Sequence, residues 1–157
     1  MKKKKQIKYY SGPFHPEHPH KYKGNPRNIK YRSMWERRFM VYLDRNVNII
    51  EWASEEVVLP YTSPFDGKMH RYYPDFYAKV RQRDHTIKEY IIEIKPKKQT
   101  VAPKTNPKRK TKGWYHAVRE WGKNQAKWKS ATHYCNKHGM EFKVLTEHDL
   151  GLNNPYK

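Results

Sequence analysis

"RYYPDFYAKV", residues 71–80, and "EYIIEIKPKK", residues 89–98, are the two runs on which the fold turns. Both are rich in aromatic and β-branched residues, and the polar segment "RQRDH" between them has the makings of a turn. Each also carries charge where a half-buried strand normally avoids it: Asp75 in the first run, Glu93 and Lys95 in the second. Side chains alternate faces along a strand, so Tyr90, Ile92 and Ile94 share one face while Ile91, Glu93 and Lys95 share the other. A short turn makes antiparallel pairing natural, and a suitable register brings Asp75 within reach of Glu93, although sequence alone leaves that register open.

Two neighbouring carboxylates repel unless positive charge lies between them. A hard divalent cation such as Mg²⁺ takes one or two carboxylates, with water and substrate phosphate completing its shell. An amine beside them can orient a water, help deprotonate it, or stabilise the charge that builds on a phosphate under attack. These are the parts of a phosphodiester hydrolase. The bland alternative is a cross-strand ion pair on a wet sheet face, common and worth little. The strand context of both runs and the charge of the whole chain favour the site.

That charge is large. The 157 residues include 34 Lys+Arg against 15 Asp+Glu, a formal net charge of +19. Such a balance calls for a polyanionic partner, nucleic acid before an anionic membrane, since no long apolar or basic amphipathic segment stands out. DNA contact is expected to be largely independent of sequence, because lysines and arginines of this kind read phosphates. The single cysteine, Cys135, excludes an internal disulfide and a cysteine-built zinc site, and it suits a reducing compartment. "MKKKKQIKYY" lacks the apolar core of a secretory signal.

Residues 1–30 show no periodicity and read as a basic arm, mobile or wrapped on the surface. "HPEHPH" within it reads as a solvated loop rather than a metal tract. Tyr9, Tyr10, Tyr22 and Tyr31 are free there to meet nucleic acid or protein. A domain over 31–150 begins with "YRSMWERRFMVYLD", where Ser33 and Glu36 form a capping-box pattern ahead of a stripe of Trp35, Phe39, Tyr42 and Leu43. A β-rich stretch follows over 48–61. Pro64 and Asp66-Gly67 then turn the chain into strands at about 70–80 and 87–95. The lysine- and proline-rich segment 96–113 reads as a basic loop, residues 114–137 as a long helix stopped by Gly139, 140–147 as a last strand, and 151–157 as a tail. The order is α-β-β-β-α-β: an α/β fold with a mixed sheet of about four strands flanked by helices.

On the long helix, Trp114, Val118, Trp121, Gln125, Trp128, Thr132 and Cys135 form one stripe. Gln125 is then an amide in an apolar seam, needing partners and able to bond a water, a phosphate or Lys95. Lys129, one turn on, can reach the same place. Arg119, Lys123 and Lys127 make a row on the exposed side, either solvated or tracking a DNA backbone. With Lys97 and Lys98, which follow Lys95 after Pro96, the residues Arg119, Lys123 and Lys129 are the candidate nucleic-acid contacts. Glu36 suits a helix N-terminus on its own account, yet it borders the buried stripe and can point toward the sheet.

Pro74-Asp75 followed by Glu93-Ile94-Lys95 resembles the PD-(D/E)XK nuclease motif, and the order of elements resembles the restriction-endonuclease-like core. "YRSMWERRFMVYLD", "SEEVVLPY", "HRYYPDFY", "YIIEIKPKKQT" and "NQAKWKSATHYC", in this order over roughly residues 22–152, resemble the head-completion nucleases of T-even-type tailed phages. The endonuclease subunit of a bacterial transposon shows a more distant version of the pattern. The resemblance implies a Mg²⁺-dependent DNase, with Mn²⁺ able to substitute, that trims packaged DNA at head–tail joining. It implies phage head, portal or neck proteins as partners and action in the host cytoplasm during virion assembly, with retention in the virion left open. It puts metal ligation on Asp75, Glu93 and Glu36, the last a helix-borne glutamate of the site, and the catalytic lysine on Lys95. A basic assembly protein that binds DNA without cutting it is the competing reading; intact Asp75, Glu93 and Lys95 speak against it.

Overall fold

The structure, a computed structural model, describes residues 10–151. The central sheet has four strands: β3 (Ile49–Ser54), β6 (Phe76–Arg81), β7 (Ile87–Ile94) and β8 (Glu141–Leu145), in the order β3-β6-β7-β8. β3, β6 and β7 pair antiparallel, whereas β8 joins β7 in parallel. A parallel join needs a long crossover. Helix α2 (Lys112–Lys137) supplies it.

Helix α1 (Met34–Arg45) lies on one face of the sheet, where Phe39 meets Phe76 edge-on at 5.0 Å between ring centroids. Its start follows the expected cap: Ser33 Oγ accepts from the Glu36 amide at 3.1 Å. Glu36 reaches back one residue past the cap, accepting from the Arg32 amide at 2.7 Å. Helix α2 covers the other face, and its Cys135 is buried against Ile91.

The stretch 48–61 and the run 70–80 are each interrupted. β3 stops at Ser54, and β4 (Leu59–Thr62) begins only after Glu55, whose φ of 53° turns the chain through the left-handed region. On the partner run, β5 (Met69–Tyr72) is parted from β6 by Tyr73-Pro74-Asp75, where proline has no amide to give a ladder. The breaks face each other, with the Glu55 amide donating to the Asp75 carbonyl at 3.1 Å. The β4–β5 hairpin therefore leaves the sheet plane and docks on α2, building a second small core from Leu59, Tyr61, Tyr72 and Ala131. At its tip Phe65 lies against Gly122, where a Cβ would meet the ring at 3.1 Å.

The described part of the stretch 1–30 is no loose arm. β1 (Gly12–Phe14) pairs antiparallel with β2 (Ile29–Tyr31), and Phe14, Tyr22 and Ile29 belong to the main core. Tyr22 and Phe14 both pack edge-on against Trp52. Composition hid this because the three anchors are spaced by prolines and turns rather than by a period. Lys21 Nζ caps the C-terminus of α1, donating to the carbonyls of Leu43, Asp44 and Asn46 at 3.0, 2.6 and 2.9 Å. The buried Asp44 carboxylate accepts in turn from the amides of Glu17 and His18. Tyr10 and Tyr31 are exposed and part-buried, and Tyr9 lies outside the described residues, as does 152–157 of the expected tail.

Candidate metal and catalytic site

The register settles what the sequence left open. Phe76 pairs with Ile92, so one place further along Asp75 stands opposite Glu93. The Asp75 carboxylate accepts from the Ile94 amide at 2.8 Å, which fixes it across the end of β7. Glu93 and Lys95 project together on the α2 face, with Lys95 Nζ 3.1 Å from Glu93 Oε1. Glu93 is 5% exposed, and its other oxygen accepts from the Tyr72 hydroxyl at 2.7 Å.

A buried carboxylate and a half-buried one share one ammonium here, so the pair is short of positive charge. The effect appears on Asp75, whose carboxyl is pushed up to about 8, first by burial and then by the charges of Glu93 and Glu36. Lys95 moves the other way from what burial would do: burial alone would lower it, but Glu93 and Asp75 outweigh that and hold the amine above its ordinary value. Lys95 is an ammonium at neutral pH, a donor rather than a base. This oxygen donor set with unbalanced negative charge suits a hard divalent cation, which Asp75 and Glu93 could hold.

Glu36 stands at the rim. Its carboxyl is raised by burial, with Glu55 and Glu93 adding to the rise. It does not close a triad: among the described residues, only Glu17, His18 and Asp44 bring three such ligand atoms within 4.8 Å of one another. Glu36 is thus a neighbour of the carboxylate pair, not a third group in direct reach of both. The Glu17–His18–Asp44 cluster is a different matter. Asp44 spends its oxygens on backbone amides and Glu17 pairs with Arg45 at 2.6 Å, so the cluster clamps the N-terminal segment to α1. Two acidic residues just past β3 have partners of their own: Glu55 bridges to Arg32 at 3.1 Å, and Glu56 accepts from the Tyr22 hydroxyl at 3.2 Å.

The placement of Gln125 in an apolar seam is corrected. Gln125 is exposed, with Val118 and Thr132, and the buried amide is the adjacent Asn124. The seam runs through Asn124, Ala131 and Cys135, the small residues that let a helix approach a sheet closely. The bulky tryptophans that drew the stripe one residue aside sit on its flanks: Trp114, for instance, donates to the Lys104 carbonyl at 2.8 Å and so tethers the basic loop.

The same rotation reassigns the lysines. Lys129 is exposed on the Gln125 side, away from the seam. Lys127, expected on the exposed face, lies instead over the rings of Tyr61 and Tyr72, 5.6 Å from each centroid. Arg119 lies over Phe65 at 5.0 Å, and Lys123 is 3.8 Å from Glu120. Glu120 in turn acts on Lys95 from across the seam. Lys97 and Lys98 are exposed on the short turn directly after the site. Tyr72, Asn124 and Glu120 were not found from sequence. Tyr72 alone left a signal, as the residue three before Asp75 with its hydroxyl in a strand otherwise read as core.

Residues 46–147 match the sequence model of the TnsA-like endonuclease N-terminal family. The chain is 41% identical over 145 residues to the head completion nuclease of Enterobacteria phage T4, a similarity that covers 90% of this chain and 93% of that relative. No solved structure matches the chain.

Proposed function

Because this chain belongs to the TnsA-like endonuclease family, we propose that it is a divalent-cation-dependent deoxyribonuclease whose centre is Asp75, Glu93 and Lys95. The observation that carries the reading is the convergence of Asp75 and Glu93 at the end of two paired strands, with Lys95 against them. Mg²⁺, with Mn²⁺ as a substitute, would be held by the two carboxylates; when bound it supplies charge neutralisation and an activated water for attack on phosphorus. Lys95, protonated and 3.1 Å from Glu93, donates to an oxygen of the scissile phosphate and stabilises the charge developing there. Asp75 is held in aim by the Ile94 amide. Glu36 adds negative charge at the rim and assists the orientation of water.

The exposed cations Lys97, Lys98, Arg119 and Lys129, within a chain of net charge +19, grip DNA through its phosphates without reading sequence. By its likeness to the phage T4 relative, the protein acts in head completion. It trims packaged DNA before the tail joins, working in the host cytoplasm beside head, portal or neck proteins. Among the described residues no helix is long and apolar enough to cross a membrane.

The test is cleavage of supercoiled plasmid in Mg²⁺, alongside DNA binding in EDTA at several salt concentrations. Asp75→Ala, Glu93→Ala and Lys95→Ala are expected to lose cleavage by at least about a hundredfold while retaining salt-sensitive binding. Variants that cut as wild type does would overturn the site. A wild type that binds DNA but cuts nothing with Mg²⁺ or Mn²⁺ would overturn the nuclease mechanism.

A further inference from the structure

The β4–β5 hairpin ends in a side chain that the reaction itself does not require, Tyr72. It is 3% exposed, and its hydroxyl donates to Glu93 Oε2 at 2.7 Å. Glu93 thus has a donor on each oxygen: Lys95 on Oε1 and Tyr72 on Oε2. A carboxylate has about four lone-pair sites, so two anchors leave lone pairs on both oxygens for a cation while the plane of the group is set. The ring is itself held, packed in the small core with Leu59, Tyr61 and Ala131 and covered by Lys127.

We propose that Tyr72 is a positioning residue for the metal centre: its hydroxyl fixes the Glu93 carboxylate in the orientation that accepts the divalent cation, and the hairpin and α2 fix Tyr72. The inference rests on the assignment of Asp75 and Glu93 as ligands. Groups that orient a ligand typically contribute ten- to a hundredfold in metal affinity. Tyr72 acts through Glu93, which separates it from Lys95, the group proposed to bond the phosphate.

Tyr72→Phe removes one oxygen and keeps the ring, and Tyr61→Phe does the same to a neighbouring tyrosine whose hydroxyl meets no carboxylate among the described contacts. Mn²⁺ binding is read directly, from the free-ion electron paramagnetic resonance signal, in the wild type, both phenylalanine variants and Asp75→Asn. Cleavage against Mg²⁺ concentration and urea unfolding accompany it. Tyr72→Phe is expected to bind Mn²⁺ about tenfold more weakly. Its half-saturating Mg²⁺ should rise in parallel, with a maximum rate at saturating Mg²⁺ within about threefold of wild type. Tyr61→Phe should bind as wild type does. Mn²⁺ affinity in Tyr72→Phe equal to wild type, or an equal loss in Tyr61→Phe, would overturn the positioning role. If Asp75→Asn binds Mn²⁺ as tightly as wild type, the ligand assignment itself fails, and that outcome is distinct because it does not involve Tyr72.

Discussion

Asp75→Asn should make the protein more stable in EDTA, increasingly so as pH rises. Asparagine keeps an oxygen to accept from the Ile94 amide, now at 2.8 Å from Asp75, and removes only the charge. The Asp75 carboxyl is pushed from 3.8 to about 8 in the fold, by burial first and Glu93 second. A folded-state value above the unfolded one means the group's contribution is complete below pH 3.8 or so and is lost as pH climbs toward 8. At ~1.4 kcal/mol per pH unit, charging Asp75 in place costs at most about 6 kcal/mol. Relaxation and water entry around paired ions reduce such figures, so we expect about 2–3 kcal/mol at pH 8.5. Urea unfolding of both proteins in EDTA between pH 5 and 8.5 measures it, the difference cancelling the titration of the nine histidines common to both chains. The gap should widen steadily with pH. Added Mg²⁺ should then reverse its sign, since binding to the folded state stabilises only the chain that can bind. Curves that run parallel from pH 5 to 8.5 would refute the reasoning, because they would mean Asp75 titrates alike folded and unfolded.

Three further outcomes follow from the geometry. Asp44→Ala strips the amides of Glu17 and His18 of their acceptor and should cost about 2–4 kcal/mol in urea unfolding, with cleavage per folded molecule unchanged. Gln125→Ala should leave both stability and cleavage within error, whereas Asn124→Ala in the buried seam should lose about 1–3 kcal/mol; equal effects would place the seam wrongly. Replacing Lys97 and Lys98 together by glutamine should lower the slope of log affinity against log salt by up to about two, measured by fluorescence anisotropy on duplexes of unrelated sequence, with an equal effect on each.

The alternation in "YIIEIK" was enough to put Glu93 and Lys95 on one face, and a five-residue turn was enough to imply the pairing that sets Asp75 opposite. Both are short-range consequences of backbone geometry, and they hold in the structure. What the sequence concealed depends on contacts between distant segments. The hairpin's departure from the sheet needs two facing breaks, at Glu55 and at Pro74, and either alone reads as a kink in a longer strand. On α2, Cys135 lies in the seam as its place on the stripe implies, but Gln125 and Thr132 each fall one residue off it, because hydrophobic bulk in a stripe is not the same as burial. Asn124 and Ala131, both buried, weigh little in any hydrophobic pattern, while Trp114, Trp121 and Trp128 are only partly buried. The role of residues 10–31 was invisible for the same reason: Phe14, Tyr22 and Ile29 acquire their meaning only from Trp52 and its surroundings.

The seat of that N-terminal segment bears on how copies of this protein meet. β3 is the outermost strand on its side of the sheet, and an outermost strand with unpaired amides is a template on which another molecule's strand can add. Here Tyr22 bridges Trp52 and the Lys23 amide donates to the Trp52 carbonyl at 2.8 Å, so the border is already occupied by the chain's own beginning. At the opposite border β8 alternates Glu141 and Lys143 with apolar residues, and charges there discourage stacking strand to strand. Each flank of the sheet is thus guarded by a different device.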